Sequence, residues 1–131
     1  MRILLDTQVL IWAVGASGRL DAETAEALAD TANDILFSAA SIWEIAIKYR
    51  LGRPDFLHEP REIVHAAIDI GFTELPVYSR AAAAVATLPL IHRDPFDRLL
   101  IAQAITEPAI LYTADAHLPA YSELVKRVDA S

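Results

Sequence analysis

The stretch RILLDTQVLIWAVG, residues 2–15, establishes the pattern that the rest of the chain repeats. Its first four residues form a short apolar run that is typical of a buried strand. Asp6 follows directly, and TQVLIWAVG is then predicted as a helix that ends at Gly15. The chain therefore begins with a strand, an aspartate and a helix in immediate succession.

Strands and helices continue to alternate after this first unit. Further strands are predicted at residues 34–38, 72–76 and 109–113, with a short fifth strand at 124–128. Helices are predicted at 22–33 after an Asp21 cap, at 41–52 ending at Gly52, at 60–71, after a Ser79 cap, and from Pro95 onward. Strands joined by helices form parallel sheets that helices cover on both faces. We therefore predict an α/β fold in which residues 1–131 form one domain.

The composition indicates a cytoplasmic protein whose apolar surface is buried against a partner or in a dimer. Hydrophobic residues make up 54% of the chain and the mean hydropathy is +0.31, yet no apolar run reaches the roughly 18 residues that span a bilayer. The N-terminal region has one basic residue and carries Asp6 within its apolar run, so it is a poor signal peptide. A partner or a second copy of the chain is expected to cover the apolar surface. The absence of cysteine excludes disulfides, thiolate catalysis and cysteine-based zinc sites.

The net charge of −7 argues against a generic nucleic-acid binder, because such proteins are usually basic. It is explained either by solubility or by several carboxylates that share a site for metal ions. The charge alone leaves both explanations open.

The acidic residues at strand and helix ends favour a shared site. Asp6 directly follows the first strand, and Asp115 follows the fourth strand with one residue between them. Glu44 and Asp97 are predicted in the first turns of helices next to the second and fourth strands. All four are expected at the carboxyl edge of the sheet, where hard cations such as Mg²⁺ or Mn²⁺ would offset their mutual repulsion. A metal held there can orient a water and stabilise the charge of phosphodiester cleavage.

Each acidic residue also has a structural explanation. Glu44 forms a capping box with Ser41 and a favourable helix pair with Lys48. Asp6 is a possible helix cap, and Asp115 a possible turn residue. The joint placement of the acidic residues, more than any one of them, favours a metal site.

The segment HRDPFDRLLIAQA, residues 92–104, contains two aspartates that are not equivalent. Asp94 is a good N-cap before Pro95 at the first helical position. Asp97 lies at the third position, where the helix dipole favours a negative charge. The helix cap best explains Asp94. We expect Asp97 to bind a metal, because Asp6, Glu44 and Asp115 are expected at the same edge of the sheet.

Four segments together resemble the successive motifs of PIN-domain proteins, and most closely those of VapC toxins from bacterial toxin–antitoxin pairs. The segments are LLDTQVLIWA, SAASIWEIAIKYRLG, HRDPFDRLLIAQA and ILYTAD, and they occur in the family's order. The resemblance implies a three-layer α/β/α sandwich around a short, mainly parallel central sheet. It also implies a ribonuclease that depends on Mg²⁺ or Mn²⁺, a cognate VapB-type antitoxin as partner, and an RNA substrate.

Carried over position by position, the resemblance assigns the catalytic and metal-binding roles to Asp6, Glu44, Asp97 and Asp115. Thr7 and Thr113 match hydroxyl residues that often lie beside these acids, and Asp94 matches a subgroup feature. Asp6 and Asp97 are then expected to bind the principal metal, with the other two acids completing the site. A metal-activated water would cleave RNA to leave a 5′-phosphate and a 3′-hydroxyl. A homodimer is expected.

Basic residues near these acids are candidate RNA contacts. Arg93 and Arg98 flank Asp94 and Asp97, and Lys48 lies at the end of the helix that carries Glu44. Arg98 has the alternative of pairing with a nearby carboxylate. The four histidines show no paired ligand spacing, so structural or surface roles are expected for them.

Other functions meet specific objections in the sequence. A phosphatase of the haloacid-dehalogenase kind needs a second aspartate two residues after the first, where the chain has Gln8. A phospho-receiver domain needs acidic residues where the chain has Leu5 and Ser38. A catalytically inactive binding module with a PIN-like fold remains an alternative, as does another metal phosphohydrolase with an acidic cluster. Carboxylate-dependent Mn²⁺ binding would count against the inactive module.

Overall fold

The computed structural model of the chain describes residues 1–15 and 19–129. Within these residues the strands are β1 (Arg2–Leu5), β2 (Asp34–Ser38), β3 (Thr73–Leu75), β4 (Ile110–Thr113) and β5 (Val125–Arg127). The helices are α1 (Thr7–Val14), α2 (Ala22–Ala29), α3 (Ala39–Arg50), α4 (Pro60–Asp69), α5 (Ser79–Ala84) and α6 (Pro95–Thr106). Short 3-10 helices lie at Val85–Thr87 and Leu118–Tyr121. None of the helices in the two described segments has the length and hydrophobicity that crossing a membrane requires.

The five strands form one sheet in the order β3-β2-β1-β4-β5. All four strand pairings are parallel, and Leu4 of β1 lies opposite Leu36 of β2 and Leu111 of β4. The first strand is therefore central, and the ends of its two neighbours meet beside its own carboxyl end. This topology brings Asp6, the start of α3 and Thr113 to one edge of the sheet.

Helices cover both faces of the sheet. Ile3 and Phe37 point to one face and pack with apolar residues of α1, α3 and α4. Leu4 and Leu36 point to the opposite face and pack with residues of α6. Successive residues of a strand alternate between faces, so these short, largely apolar strands are buried on both sides. The predicted three-layer α/β/α sandwich is confirmed.

Several helix boundaries follow the predicted capping residues. The Asp21 carboxylate accepts the backbone N–H of Thr24 at 2.7 Å, and α1 ends at Val14 with Gly15 as its C-cap. Gly52 has a φ of +72°, a value that glycine adopts without steric cost, directly after the C-cap of α3. These predictions rest on local chemistry, and the structure confirms them.

The predicted start of α3 was wrong. The helix begins at Ala39, because the buried Ser38 at the end of β2 caps it by accepting the N–H of Ala40 at 3.0 Å. Ser41 therefore lies within the helix and Glu44 in its second turn, so the two do not form a capping box. The predicted helix pair between Glu44 and Lys48 is confirmed.

Two other predicted boundaries also differ. The N-cap of α5 is Tyr78, and Ser79 is the first helical residue, with no side-chain cap bond. Helix α2 ends at Ala29, because Asp30 accepts the N–H of Ala32 at 2.9 Å and turns the chain toward β2.

A buried hydrogen-bonded pair ties α6 to the sheet beside the start of α3. The hydroxyl of Ser38 donates to Oε1 of Gln103 at 2.6 Å, and the amide of Gln103 donates to the carbonyl of Pro76 at 3.3 Å. Both side chains are almost fully buried, so this contact holds in a low-dielectric environment. It sets α6 against the same strand end from which α3 departs.

Asp94 caps α6 by accepting the backbone N–H of Asp97 at 3.0 Å. Replacing Asp94 with alanine should lower the free energy of unfolding by about 1 kcal/mol, whereas asparagine should retain most of it. Urea unfolding of the two variants at neutral pH measures the difference. An asparagine variant as unstable as the alanine variant would show that the charge, and not the cap, is what matters at this position.

Candidate metal centre

An open cavity of about 390 Å³ lies at the carboxyl edge of the sheet. The structure places all four predicted acidic residues on its wall, together with one further aspartate and two cationic side chains. The charged residues of the wall are Asp6, Glu44, Asp55, Asp97, Asp115, Lys48 and Arg53. The cavity therefore concentrates negative charge where β1, α3, α6 and the end of β4 meet.

Asp6 is buried at the junction of β1 and α1. One carboxylate oxygen caps α1 by accepting the N–H of Val9 at 2.8 Å. The other accepts the hydroxyl of Thr113 at 2.6 Å and the N–H of Ala114 at 3.2 Å. Burial raises the pKa of Asp6, and these hydrogen bonds oppose the rise. Asp6 is thus fixed in place, and Thr113 lies beside it as predicted.

Glu44 is the second buried acid of the cavity. The hydroxyl of Thr7 donates to its Oε1 at 2.6 Å, and the ammonium of Lys48 donates to its Oε2. The Thr7 oxygen also lies 3.0 Å from the hydroxyl of Ser41. Thr7 therefore supports Glu44, whereas Thr113 supports Asp6.

Asp97 lies in the first turn of α6 and is half-buried. Burial, followed by the charges of Asp94, Asp6 and Glu44, raises the pKa of Asp97 from 3.8 to about 7. A hydrogen bond to His92, whose Nε2 lies 3.0 Å from Oδ2 of Asp97, partly opposes this rise. Burial is the main cause of the raised pKa, and repulsion from the neighbouring carboxylates adds to it.

Asp115 approaches the same histidine from the loop after β4. Its Oδ2 lies 3.8 Å from Nε2 of His92. Its Oδ1 accepts the backbone N–H of His117 at 2.8 Å and faces the ring Nδ1 of that residue at 3.1 Å. Partial burial raises the pKa of Asp115, but the hydrogen bonds from His117 outweigh this effect and leave the pKa below its usual value.

His92 was not among the site residues predicted from the sequence. Within the described residues, His92, Asp97 and Asp115 form a group whose potential ligand atoms all lie within 4.8 Å of one another. His92 precedes α6 in an irregular loop, so its approach to Asp97 follows no helical or strand spacing. In the sequence, the one indication that His92 belongs to the site was its position at the start of the segment HRDPFD.

Arg98 holds the loop that positions His92. Its guanidinium donates to the backbone carbonyls of Pro89 at 2.9 Å and Val85 at 3.2 Å, and lies 3.3 Å from the hydroxyl of Tyr121. That hydroxyl in turn accepts the N–H of His92 at 2.6 Å. Among the described residues, Arg98 therefore binds backbone carbonyls and not the carboxylate that the sequence suggested. Arg93, in contrast, is exposed on the same loop.

Comparison with known proteins identifies the family to which this chain belongs. The sequence profile described as PIN domain matches residues 3–124. The chain belongs to the PIN domain family. A search of curated proteins gave no significant match.

The structure of this PIN domain resembles a chain in the crystal structure of VapBC2 from Rickettsia felis bound to a DNA fragment from their promoter. The match has a TM-score of 0.72 and covers 98% of this chain and 100% of that chain. Their sequences are 17% identical, so the likeness shows a common fold. The resemblance to PIN domains seen in the four sequence motifs is confirmed.

The donor set of this PIN domain fits a divalent cation that prefers oxygen ligands. Ligand atoms on opposite sides of such an ion lie about 4–5 Å apart, which is compatible with the 4.8 Å limit of the His92, Asp97 and Asp115 group. Asp6 lines the same cavity and acts on Asp97 electrostatically. A cation would also relieve the repulsion that raises the pKa of Asp97. A carboxylate-rich wall suits hard divalent cations.

Asp97 should make the metal-free PIN domain less stable as the pH rises. Its pKa is raised from 3.8 to about 7, so the folded state keeps a proton that the unfolded chain releases. This stabilisation is complete below pH 3.8 and is lost as the pH rises through about 7. We expect the free energy of unfolding in EDTA to fall from about pH 5 to about pH 8, and to fall less in Asp97→Asn.

Urea unfolding at several pH values measures this difference. Asp69→Asn, at the exposed end of α4, is the matched control and should keep the pH dependence of the unchanged protein. Identical pH dependence in Asp97→Asn and the unchanged protein would show that Asp97 does not hold the proton.

His92 and Asp97 should both contribute to metal binding. Replacing His92 with alanine or Asp97 with asparagine is expected to weaken Mn²⁺ binding at about pH 8 by roughly tenfold or more, because each removes a donor. Isothermal titration calorimetry measures the affinity. His65→Ala, on the exposed face of α4, should bind Mn²⁺ as the unchanged protein does. Unchanged affinity in His92→Ala would remove this residue from the metal centre.

Proposed function

We propose that this PIN domain is a metal-dependent endoribonuclease with Mg²⁺ or Mn²⁺ as its cofactor, and the toxin of a VapBC-type toxin–antitoxin pair. The observation that carries the proposal is the convergence of Asp6, Glu44, Asp97 and Asp115 on one cavity. PIN domains are generally nucleases, which supports the assignment to nucleic-acid cleavage. The likeness to a chain of the Rickettsia felis VapBC2 structure supports the VapC-type assignment.

The roles of the acidic residues follow from their surroundings. Asp97 and Asp115, with His92 between them, would hold the cation, and Asp6 would face it from the end of the central strand. When bound, the cation supplies Lewis-acid activation of a water and neutralises the charge that develops at phosphorus. The hydrogen bonds of Asp6 to Val9, Thr113 and Ala114 keep its carboxylate from turning away.

The candidate RNA contacts differ in their freedom to reach a substrate. Arg93 is exposed on the loop before α6, and Lys48 lies on the wall of the cavity, so both are proposed to contact RNA. Arg98 is already bound to backbone carbonyls and is proposed to act only through the position of His92.

The apolar surface of the chain supports the proposed partners. Trp43 is 62% exposed and packs edge-on against Phe96 with 5.3 Å between ring centroids. Leu51, Leu57 and Leu90 are 68%, 75% and 93% exposed. We propose that a cognate VapB-type antitoxin and a second copy of the chain cover apolar surface of this kind, and that the complex acts in the cytoplasm.

Cleavage of RNA by the purified protein tests the proposed function. Total cellular RNA with Mg²⁺ or Mn²⁺ should be cut to products with 5′-phosphate and 3′-hydroxyl ends, and EDTA should stop the reaction. Asp6→Asn should lower the rate by about 100-fold or more, beyond what substitution of an outer-shell residue usually costs. The reaction is followed by mapping the cleavage sites.

Asp69→Asn is the control for charge and should cut RNA at the rate of the unchanged protein. An Asp6→Asn variant that cuts RNA at this same rate would place the site elsewhere. Absence of both Mn²⁺ binding and RNA cleavage would favour the inactive binding module, and hydrolysis of a phosphomonoester in place of RNA would favour another phosphohydrolase.

A further inference from the structure

Lys48 is a cation held in place inside an acidic cavity. Its ammonium donates to Oε2 of Glu44 and lies 4.9 Å from the centroid of the Phe56 ring. The Lys48 side chain is 23% exposed, and it lines the cavity next to Arg53. A lysine side chain usually moves freely, but the ion pair and the cation–π contact restrict this one. The ammonium is therefore presented at the cavity wall in a defined position.

Glu44 is occupied by neighbours of its own chain. The hydroxyl of Thr7 donates to one carboxylate oxygen and Lys48 to the other. Glu44 also lies outside the group of potential ligand atoms that His92, Asp97 and Asp115 form within the described residues. The Glu44 carboxylate thus binds the Lys48 ammonium directly, and this ammonium offsets the negative charge of Glu44.

An RNA phosphate would meet strong repulsion in this cavity. Five carboxylate side chains line the wall against two cationic ones, and the whole chain has a net charge of −7. A divalent cation offsets only part of this excess, so a phosphate needs further positive charge close to where it binds. The ammonium of Lys48 has three N–H donors, of which Glu44 accepts one. Among the residues that the structure describes, Glu44 is the one acceptor of this ammonium, so its other donors are available to an anion in the cavity.

We infer that Lys48 forms a subsite for a backbone phosphate of RNA beside the metal centre, and that Glu44 is a positioning residue that holds the Lys48 ammonium and not a ligand of the cation. This inference rests on the proposed ribonuclease function. It specifies the RNA group that Lys48 binds, a backbone phosphate, and it changes the role of Glu44. Arg53 lies at the same wall and extends the positive surface of the subsite.

The competing explanation is that Lys48 only neutralises Glu44. The two explanations differ in what Lys48→Met does to metal and to RNA. Removing the ammonium leaves the Glu44 charge unbalanced, so Mn²⁺ should bind at least as tightly as before, whereas a phosphate subsite would be lost. A role in folding alone would weaken both kinds of binding.

The experiment compares Lys48→Met, Lys48→Arg and the control Arg61→Met, which removes an exposed cation on α4 away from the cavity. Calorimetry without RNA gives the Mn²⁺ affinity, and cleavage of an RNA oligonucleotide at several KCl concentrations gives kcat and KM. Lys48→Met should raise KM roughly fivefold to eightfold near 0.1 M salt and lower the logarithmic salt slope by about 0.7 to 0.9. Arg61→Met should keep the KM and the salt slope of the unchanged protein. Lys48→Arg keeps the positive charge, so it should raise KM and change the salt slope less than Lys48→Met does.

Glu44→Gln tests the second half of the inference. It keeps an oxygen for the Thr7 hydroxyl but loses the charge that holds Lys48, so KM for RNA should rise while Mn²⁺ affinity changes less than about threefold. A loss of Mn²⁺ binding comparable to that of Asp97→Asn would return Glu44 to the metal ligands.

Two outcomes would overturn the subsite. An unchanged KM and salt slope in Lys48→Met would show that no phosphate binds there, and a fall in both Mn²⁺ and RNA binding would assign Lys48 a structural role. If the unchanged protein cuts no RNA, the proposed function fails. Fluorescence anisotropy of a labelled RNA oligonucleotide, with and without Lys48→Met, then decides the subsite on its own.

Discussion

The buried carboxylate of Asp6 is the constraint on which the rest of the site depends. It ends the central strand, caps α1 through Val9, and accepts hydrogen bonds from Thr113 and Ala114 at the end of β4. A buried carboxylate is tolerated only when its oxygens are satisfied in this way. The same bonds therefore join two adjacent strands to a helix and fix one acidic group at the wall of the cavity. The stability of the fold and the geometry of the candidate site therefore depend on the same contacts.

Two further acids of the cavity, Glu44 and Asp97, differ in how their charges are balanced. Glu44 is balanced within the chain by Lys48 and Thr7, so its charge is offset in the metal-free protein. Asp97 pairs with no lysine or arginine among the described residues, and burial together with nearby carboxylates raises its pKa to about 7. The cavity thus combines one satisfied acid with one that gains most from a cation. By this contrast, Glu44 is suited to position Lys48, whereas Asp97 is suited to bind a metal.

The start of α6 shows how a helix terminus positions side chains of the candidate metal centre. Asp94 caps the helix by accepting the N–H of Asp97, and this bond orients the turn that carries the Asp97 carboxylate. Arg98, one residue later, binds carbonyls of the preceding loop and so holds His92 against Asp97. Asp94 and Arg98, for which no metal contact is proposed, therefore set the distance between the candidate ligands. These ligands are His92 and Asp97.

Local sequence patterns were sufficient for the order of the strands and helices and for most of the acidic residues. Apolar runs and capping residues act over a few positions, so β1, the Asp6 junction and the Asp94 cap could be recognised without knowledge of the fold. The rule that sites form at the carboxyl ends of parallel strands then placed Asp6 and Asp115 together. Burial overrode a local signal at α3, where Ser38 caps the helix from the strand end and Ser41 does not.

Only the tertiary structure decided which of these groups meet. His92 reaches Asp97 through an irregular loop, and Arg98 binds carbonyls 6 to 13 residues before it, so neither contact has a helical or strand period. Thr7 and Glu44 are 37 residues apart in sequence, and Asp6 and Thr113 are 107 apart. The sequence by itself determined the elements and the supply of carboxylates, because these depend on neighbouring residues. Packing of the layers determined the pairing of charges and hydrogen bonds, because it sets distances between residues far apart in the chain.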